Sequence, residues 1–369
     1  MRFPEFSGEW EVKKLGDIGD VKMCRRIFNE ETSPVGEIPF FKIGSFGKEA
    51  DAFISKELYL NYKNKFSFPK KGDILISAAG TIGRTVVFNG EDAYYQDSNI
   101  VWIDNNDTKI TNTFLFYILQ IVKFNTEGGT IQRLYNNILK STKFSSPIIS
   151  EQKKIAQFLS LIDERIQTQN KIIEGLKSQI QGFREHLFSQ KIRFKDINGN
   201  EFLDWENKSL GEICEKKSSN ISANKIEDNF GEYLIYGASG VLKKIDFYEE
   251  KNDYISIVKD GAGVGRLFYC KGKSSVLGTM DIIKPKNTNS HFLFYLLSNI
   301  DFTKYVTGST IPHIYFKDYK NENFGIPCFE EQTKIANFLS SIDSKIDTEK
   351  QILQKLEEQK KYLLQNLFV

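Results

Sequence analysis

GTIGR at residues 80–84 and GVGR at residues 263–266 each place an arginine directly after a glycine. A guanidinium can grip a phosphate or donate twice to the edge of guanine, and a neighbouring glycine lets backbone and ligand approach closely. Arg84 and Arg266 are therefore candidates for contact with a nucleic acid, although a surface arginine in a hairpin has the same signature. Bond-making chemistry is harder to find. The chain has no GxxxxGKS/T phosphate loop, no HExxH zinc pair and no NPPY-type adenine-methylation motif. GAGVGR at 261–266 lacks the last glycine of a dinucleotide fingerprint and reads as a tight turn. His186, His291 and His313 are too few and too scattered for an acid–base constellation. Cys24, Cys214, Cys270 and Cys328 form no CxxC pair, which fits reduced thiols better than a zinc site or a disulfide framework. A binding protein is expected, not an enzyme.

The elements that must carry such contacts are constrained by composition. The 369 residues suffice for two cores, and 40% apolar with 27% charged residues is the balance of a soluble globular chain. Fifty Lys and Arg against forty-eight Asp and Glu leave a formal charge of +2, so any nucleic-acid surface must be local. The first residues lack the apolar core of a signal peptide, and no run approaches the roughly 20 apolar residues of a membrane span. The expected location is the cytoplasm, away from membranes.

EQKKIAQFLSLID at 151–163 returns almost unchanged as EQTKIANFLSSID at 331–343. Steps of four and three residues from Ile155 give Leu159, Ile162, Ile166, Gln169, Ile173, Leu176, Ile180, Phe183 and Leu187. The second copy gives Ile335, Leu339, Ile342, Ile346, Glu349, Leu353, Leu356, Lys360, Leu363 and Leu367. Both are coiled-coil seams with a 3.5-residue repeat. The expected helices span 150–190 and 330–369, each roughly 60 Å long at 1.5 Å per residue. Pro147 and Pro327 precede them, and Glu151 and Glu331 put negative charge where the helix dipole favours it. Gln169 and Glu349 interrupt the seams near their midpoints, where antiparallel pairing would bring them together. Gly175 and Gly182 fall off the seam.

The repeat is wider than the helices. Arg2-Phe3, Trp10 and Leu15-Gly16-Asp17-Ile18 are answered by Arg193-Phe194, Trp205 and Leu210-Gly211-Glu212-Ile213. The N-terminal segment thus supplies for the second helix the junction that follows the first, which predicts neighbouring chain ends and a pseudo-twofold arrangement. Between each junction and its following helix, at about 10–147 and 205–327, the correspondence continues in order: KGDILI with NDYISI, FLFYIL with FLFYLL, GGTIQRLY with GSTIPHIY. Short β-rich runs with Gly, Asn and Asp turns predict an α+β chain. Two mixed α/β domains, at 1–149 and 191–329, would be related by a pseudo-twofold axis and separated by two long antiparallel coiled-coil helices.

From end to end the chain resembles the specificity (S) subunit of a type I restriction-modification system. PIISEQKKIAQFLSLID, PCFEEQTKIANFLSSID, GDILISAAGTIGR and YLIYGASG carry the resemblance. It implies a non-catalytic reader of double-stranded DNA, with one target-recognition domain per half-site and paired helices that dock methyltransferase (M) subunits, two of them, and endonuclease (R) subunits. No cofactor would bind this chain: S-adenosylmethionine belongs to the methyltransferase, ATP and Mg to the endonuclease. DNA-contact candidates are then Arg25, Arg26, Lys42, Ser45, Arg84 and Arg133 in the first domain. Lys216, Lys217, Tyr236, Ser239, Lys259, Arg266 and His313 are those of the second. The competing reading is a structural coiled-coil scaffold presenting two protein-binding domains, which the near-neutral charge favours mildly.

Overall fold

The computed structural model describes residues 2–125 and 132–368. Two compact units divide the chain: one runs through Gln169 and takes up the chain again from Leu353, the other is Asn170–Ile352. Each unit therefore holds a globular part plus portions of both long helices.

In the first unit a four-stranded sheet has the order Gly19–Met23, Ile100–Asn105, Ile74–Ser77, Thr85–Val87. The second unit repeats it as Cys214–Ser218, Met280–Pro285, Tyr254–Val258, Leu267–Cys270. Ile74–Ser77 and Tyr254–Val258 are buried along their whole length, as strands covered on both faces must be. A three-stranded sheet accompanies each: Phe53–Ile54, Ile38–Phe41, Tyr94–Tyr95 in one, Gly240–Ile245, Tyr233–Gly237, Ser274–Val276 in the other. A two-stranded ribbon closes each domain, Glu11–Lys14 with Lys143–Ser146 and Glu206–Ser209 with Asn323–Ile326. The helices Asn112–Ile121 and Ser290–Leu297 are the FLFYIL and FLFYLL segments. Thr111 caps the first through its hydroxyl and Asn289 the second through its amide oxygen, each accepting a first-turn N–H. The units differ where a helix, Lys56–Lys65, follows the strand Phe53–Ile54 in the first unit alone.

The long helices are Ile149–Phe188 and Phe329–Leu367, each starting one residue earlier than the sequence suggests. In the first unit the start of one packs with the end of the other: Ile155, Leu159 and Ile162 share a core with Leu363 and Leu367, and Lys360 lies 2.7 Å from Asp163. The second unit joins the opposite portions, Leu187 with Ile335 and Leu339, and Phe183 edge-on to Phe338 at 5.0 Å. The pairing is antiparallel in both. Ile173, Ile346 and Leu356 are buried as well, while Ile166, Leu176, Ile180, Ile342 and Leu353 are half-buried. Gln169 is buried and Glu349 half-buried in their own units.

The repeated Glu-Gln pair is an anchor as much as a dipole partner. Glu331, wholly buried, accepts from the Arg193 guanidinium at 2.8 Å and from Trp205 Nε1 at 3.0 Å. Glu151, equally buried, accepts from Arg2 at 2.7 Å. Gln152 and Gln332 accept the N–H of Thr111 and of Asn289 and donate back to Pro147 and Pro327. Asp163 and Asp343 accept from Tyr117 (2.9 Å) and Tyr295 (2.6 Å). The motif therefore recurs because it seats a domain on a helix, twice. The ends of the chain meet within the first unit, Phe368 lying 5.4 Å from Phe114 and 6.3 Å from Trp10. Phe188, with Phe292 at 5.4 Å, is the counterpart in the second unit.

Candidate nucleic-acid interface

Three loops converge in each unit, and backbone hydrogen bonds make the two convergences equivalent. The turn between two sheet strands closes through Ser77 N–H to Arg84 O (2.9 Å) and Gly83 N–H to Ser77 O (2.9 Å). In the second unit the same bonds are Val258 N–H to Arg266 O (2.9 Å) and Gly265 N–H to Val258 O (2.8 Å). Gly83 and Gly265 have φ of 80° and 86°, and a Cβ there would meet Phe124 at 3.0 Å or Phe302 at 2.8 Å. Only glycine fits that turn without strain. A third loop joins it through Leu134 N–H to Ala78 O (2.9 Å), matched by Ile314 N–H to Lys259 O (3.0 Å). Arg133 thereby bridges to Ala79, and His313 to Asp260.

Arg84 and Arg266 complete the convergence. Arg84 Nη1 donates to Phe46 O at 2.9 Å, and Arg266 Nη1 to Ala238 O at 2.8 Å. Each arginine ties its own turn to the loop that follows the central strand of the three-stranded sheet. The guanidinium offers further donors, but one edge is already used as an internal brace.

The remaining candidates separate into displayed and internal groups. Arg25 lies over the Phe66 ring at 5.3 Å, Arg26 pairs with Asp97 at 2.8 Å, and both are exposed. Lys42 lies 3.6 Å from Asp51. Ser239 is exposed in the two-residue turn of a hairpin. His313 Nδ1 is 3.8 Å from Asp260. Ser45 and Tyr236, by contrast, are 4% and 8% exposed. The Ser45 hydroxyl accepts from Lys42 N–H and so shapes its own turn, while Tyr236 belongs to a small apolar core. Neither is available to a ligand in this conformation, which corrects the sequence expectation. Lys216 and Lys217 do not form one patch either, because neighbours on a strand point to opposite faces. Lys217 is taken up by buried Glu250 at 2.7 Å, which Lys284 also holds at 2.6 Å. Residues 126–131, which include most of GGTIQ, lie outside the described residues. The sequence reading did not single out Tyr315, Lys317 and Lys320, which line a groove with Lys216 and Lys259. Their signal was the i, i+3 spacing of two lysines just after GSTIPHIY.

The other histidines and the buried thiols sit in structural surroundings, while Cys328 is an exposed free thiol. His291 stacks on Tyr269 at 4.0 Å, and burial, with Lys271 nearby, lowers its pKa. His186 contacts its own helix carbonyl at Gly182. Burial pushes the thiols of Cys24 and Cys214 up to about 12 and that of Cys270 to about 11, so they stay protonated. GAGVGR is a turn, with Gly261, Gly263 and Gly265 all at positive φ. Among the described residues no three His, Cys, Asp or Glu are placed to hold a metal ion. No helix there is long and apolar enough to cross a membrane.

Comparison with known proteins agrees with this architecture. A family model described as Type I restriction modification DNA specificity domain matches residues 7–178 and again 203–358. A Haemophilus influenzae protein named as a type I restriction enzyme specificity subunit is 54% identical over 172 residues, 46% of this chain and 44% of that one. The chain thus spans under half the length of that relative. A type I restriction enzyme specificity subunit of Methanocaldococcus jannaschii is 26% identical over 99% of this chain and 92% of its own. The crystal structure of a type I restriction-modification S subunit from M. genitalium superposes with a TM-score of 0.65 at 20% identity, covering 100% of this chain and 99% of that one, which shows a common fold. With a duplicated scaffold, two equivalent loop platforms and a family match over both halves, the chain belongs to the type I restriction-modification DNA specificity family, whose members recognise DNA without catalysing its modification.

Proposed function

We propose that the chain reads a bipartite DNA target, one half-site per domain, for an assembly of methyltransferase and endonuclease subunits. One observation carries this reading: the same three-loop platform is built twice with different side chains at matching points. Ala78, Ala79 and Arg133 in the first unit stand where Lys259, Asp260 and His313 stand in the second. Identical backbones presenting different donors, acceptors and charges are what two readers of different base sequences require. The long helices are the docking surface for two methyltransferase subunits. S-adenosylmethionine for adenine methylation is bound by those partners, and ATP with Mg by the endonuclease.

The test is to exchange residues 10–147 for the equivalent segment of a relative, express the chain with its methyltransferase, and map methylated adenines genome-wide. One half of the target should change and the other stay. A change in both halves would show that the domains do not read independently. Absence of any sequence preference would favour a protein scaffold instead.

A further inference from the structure

The groove noted above is confined to the second domain. Lys216, Lys259, Lys317 and Lys320 line it with Asp281 and Tyr315, enclosing about 510 Å³. Asp281 forms its floor: the carboxylate is 5% exposed, accepts from the Ser218 hydroxyl at 2.9 Å, and lies 3.9 Å from Lys216 Nζ and 3.6 Å from Lys259 Nζ. Those separations exceed a hydrogen bond, so the carboxylate holds both ammonium groups nearby without using up their donors, although Lys216 Nζ donates one hydrogen to the Ser218 hydroxyl at 2.8 Å. Lys317 and Tyr315 stand exposed at the rim, with the amine 5.2 Å from the ring centre. Counting Asp260, four lysines face two carboxylates, an excess of two positive charges.

The first domain shows that packing does not demand this. Val21 pairs with Ile103 as Lys216 pairs with Ile283, and Val101 sits opposite Ile76 as Asp281 sits opposite Ile257. Ala78 matches Lys259 through the backbone bonds given above. Val21, Ala78 and Val101 all lie in or against the apolar core. Asn137 occupies the place of Lys317, and Lys140, in the place of Lys320, is paired with Asp20 at 2.7 Å. An apolar filling is compatible with the fold, and a partly buried charge cluster costs stability relative to one. The groove is left with more positive than negative charge.

We infer that this groove takes the sugar–phosphate backbone of DNA beside the half-site read by the second domain, an inference that rests on the DNA-reading function proposed above. The four ammonium groups meet phosphate oxygens, Tyr315 lies against the sugar edge, and the equivalent described positions of the first domain form no such clamp. The groove is continuous with the platform, since Lys259 belongs to the turn that Arg266 braces and Tyr315 follows His313 by two residues.

The test uses the subunit in complex with its methyltransferase. Sequence-specific methylation by the unaltered complex establishes DNA reading on its own, so the groove stands or falls on the variants. Lys259→Gln and Lys317→Gln should each weaken binding to target DNA about threefold to tenfold at low salt. Together they should reduce the slope of log affinity against log salt by about 2, with the methylated sequence unchanged, because a phosphate contact carries charge and no base identity. Lys317→Gln with Lys320→Gln, both at exposed positions, provides a second pair should Lys259→Gln impair folding. Lys140→Gln in the first domain should leave the slope alone. An unchanged slope in both paired variants would overturn the inference, as would an equal effect from Lys140→Gln. Loss of methyltransferase co-elution with DNA salt dependence intact would make the groove a protein contact and overturn it as well.

Discussion

The two globular units are the same machine below their loops and different machines at their tips. Facing the long helices, each residue type is repeated: Glu151 and Glu331, Gln152 and Gln332, Tyr117 with Asp163 and Tyr295 with Asp343. Toward the loops, the core-lining Val21, Ala78 and Val101 of the first unit are replaced by Lys216, Lys259 and Asp281 in the second, and Arg133 by His313. Seating a domain on a helix is one physical problem with one solution, whereas reading bases has as many solutions as there are sequences. Duplication therefore preserves the seat and releases the reading surface.

If the seat is common and local, removing it from one unit should leave the other standing. Glu331→Ala deletes a wholly buried carboxylate that holds both Arg193 and Trp205 Nε1. Breaking a buried charged pair in this way costs about 3–5 kcal/mol, and the loss should fall on the second unit. Trp205 is the tryptophan of that unit, so denaturant unfolding followed by fluorescence in a Trp10→Phe, Trp102→Phe background isolates it. Equal destabilisation of both units would break the comparison.

Next in size are the braces. Arg84→Ala and Arg266→Ala each release a loop from the platform, and a lost charged hydrogen bond of this kind is worth about 1.5 kcal/mol, roughly tenfold in DNA affinity. Their effects should match in size while touching different half-sites, and methylation mapping should show weaker modification without a new base preference. A relaxed preference at a single base would make the arginine a direct reader instead.

Tyr117→Phe and Tyr295→Phe test the seat more gently. Each phenol donates to a helix carboxylate, burial being the main cause that raises its pKa and the carboxylate the second. Each change should cost about 1.5 kcal/mol in its own unit alone, read from unit-specific thermal unfolding. The smallest effect concerns acid. Burial acts to raise the Glu250 carboxyl, but Lys217 and Lys284 outweigh it and hold the pKa below the ordinary value. A folded pKa below the unfolded one contributes stability above the usual carboxylate range, and that contribution is lost as pH falls through the folded value. Lys217→Met should shrink this acid-side loss in the second unit. Lys217 is half exposed, so the change amounts to under about 1 kcal/mol. The first unit's acid profile should not move.

What the sequence determined by itself was whatever repeats with a period. The seams from Ile155 to Leu187 and from Ile335 to Leu367 follow from apolar spacing, because a helix projects every third or fourth residue onto one face. The meeting of Trp10 and Phe368 followed from a junction motif that occurs after one helix and before the chain's first domain. The turn containing Gly83 and its partner containing Gly265 were legible because a positive φ leaves glycine as the residue of choice. Side-chain direction within the loops was decided by tertiary structure. Ser45 and Tyr236 look like loop polar groups in the sequence, yet Ser45 is turned inward onto the Lys42 N–H of its own turn, and Tyr236 enters a core built from strands later in the chain. Adjacent Lys216 and Lys217 are split between Asp281 and Glu250 by the pleat of one strand. Lys259, Lys317 and Asp281 are brought to one groove by strand register and a short helix, contacts with no sequence period to announce them. A local pattern fixes which face of an element is apolar; which charges share a cleft depends on how elements far apart in the chain are packed together.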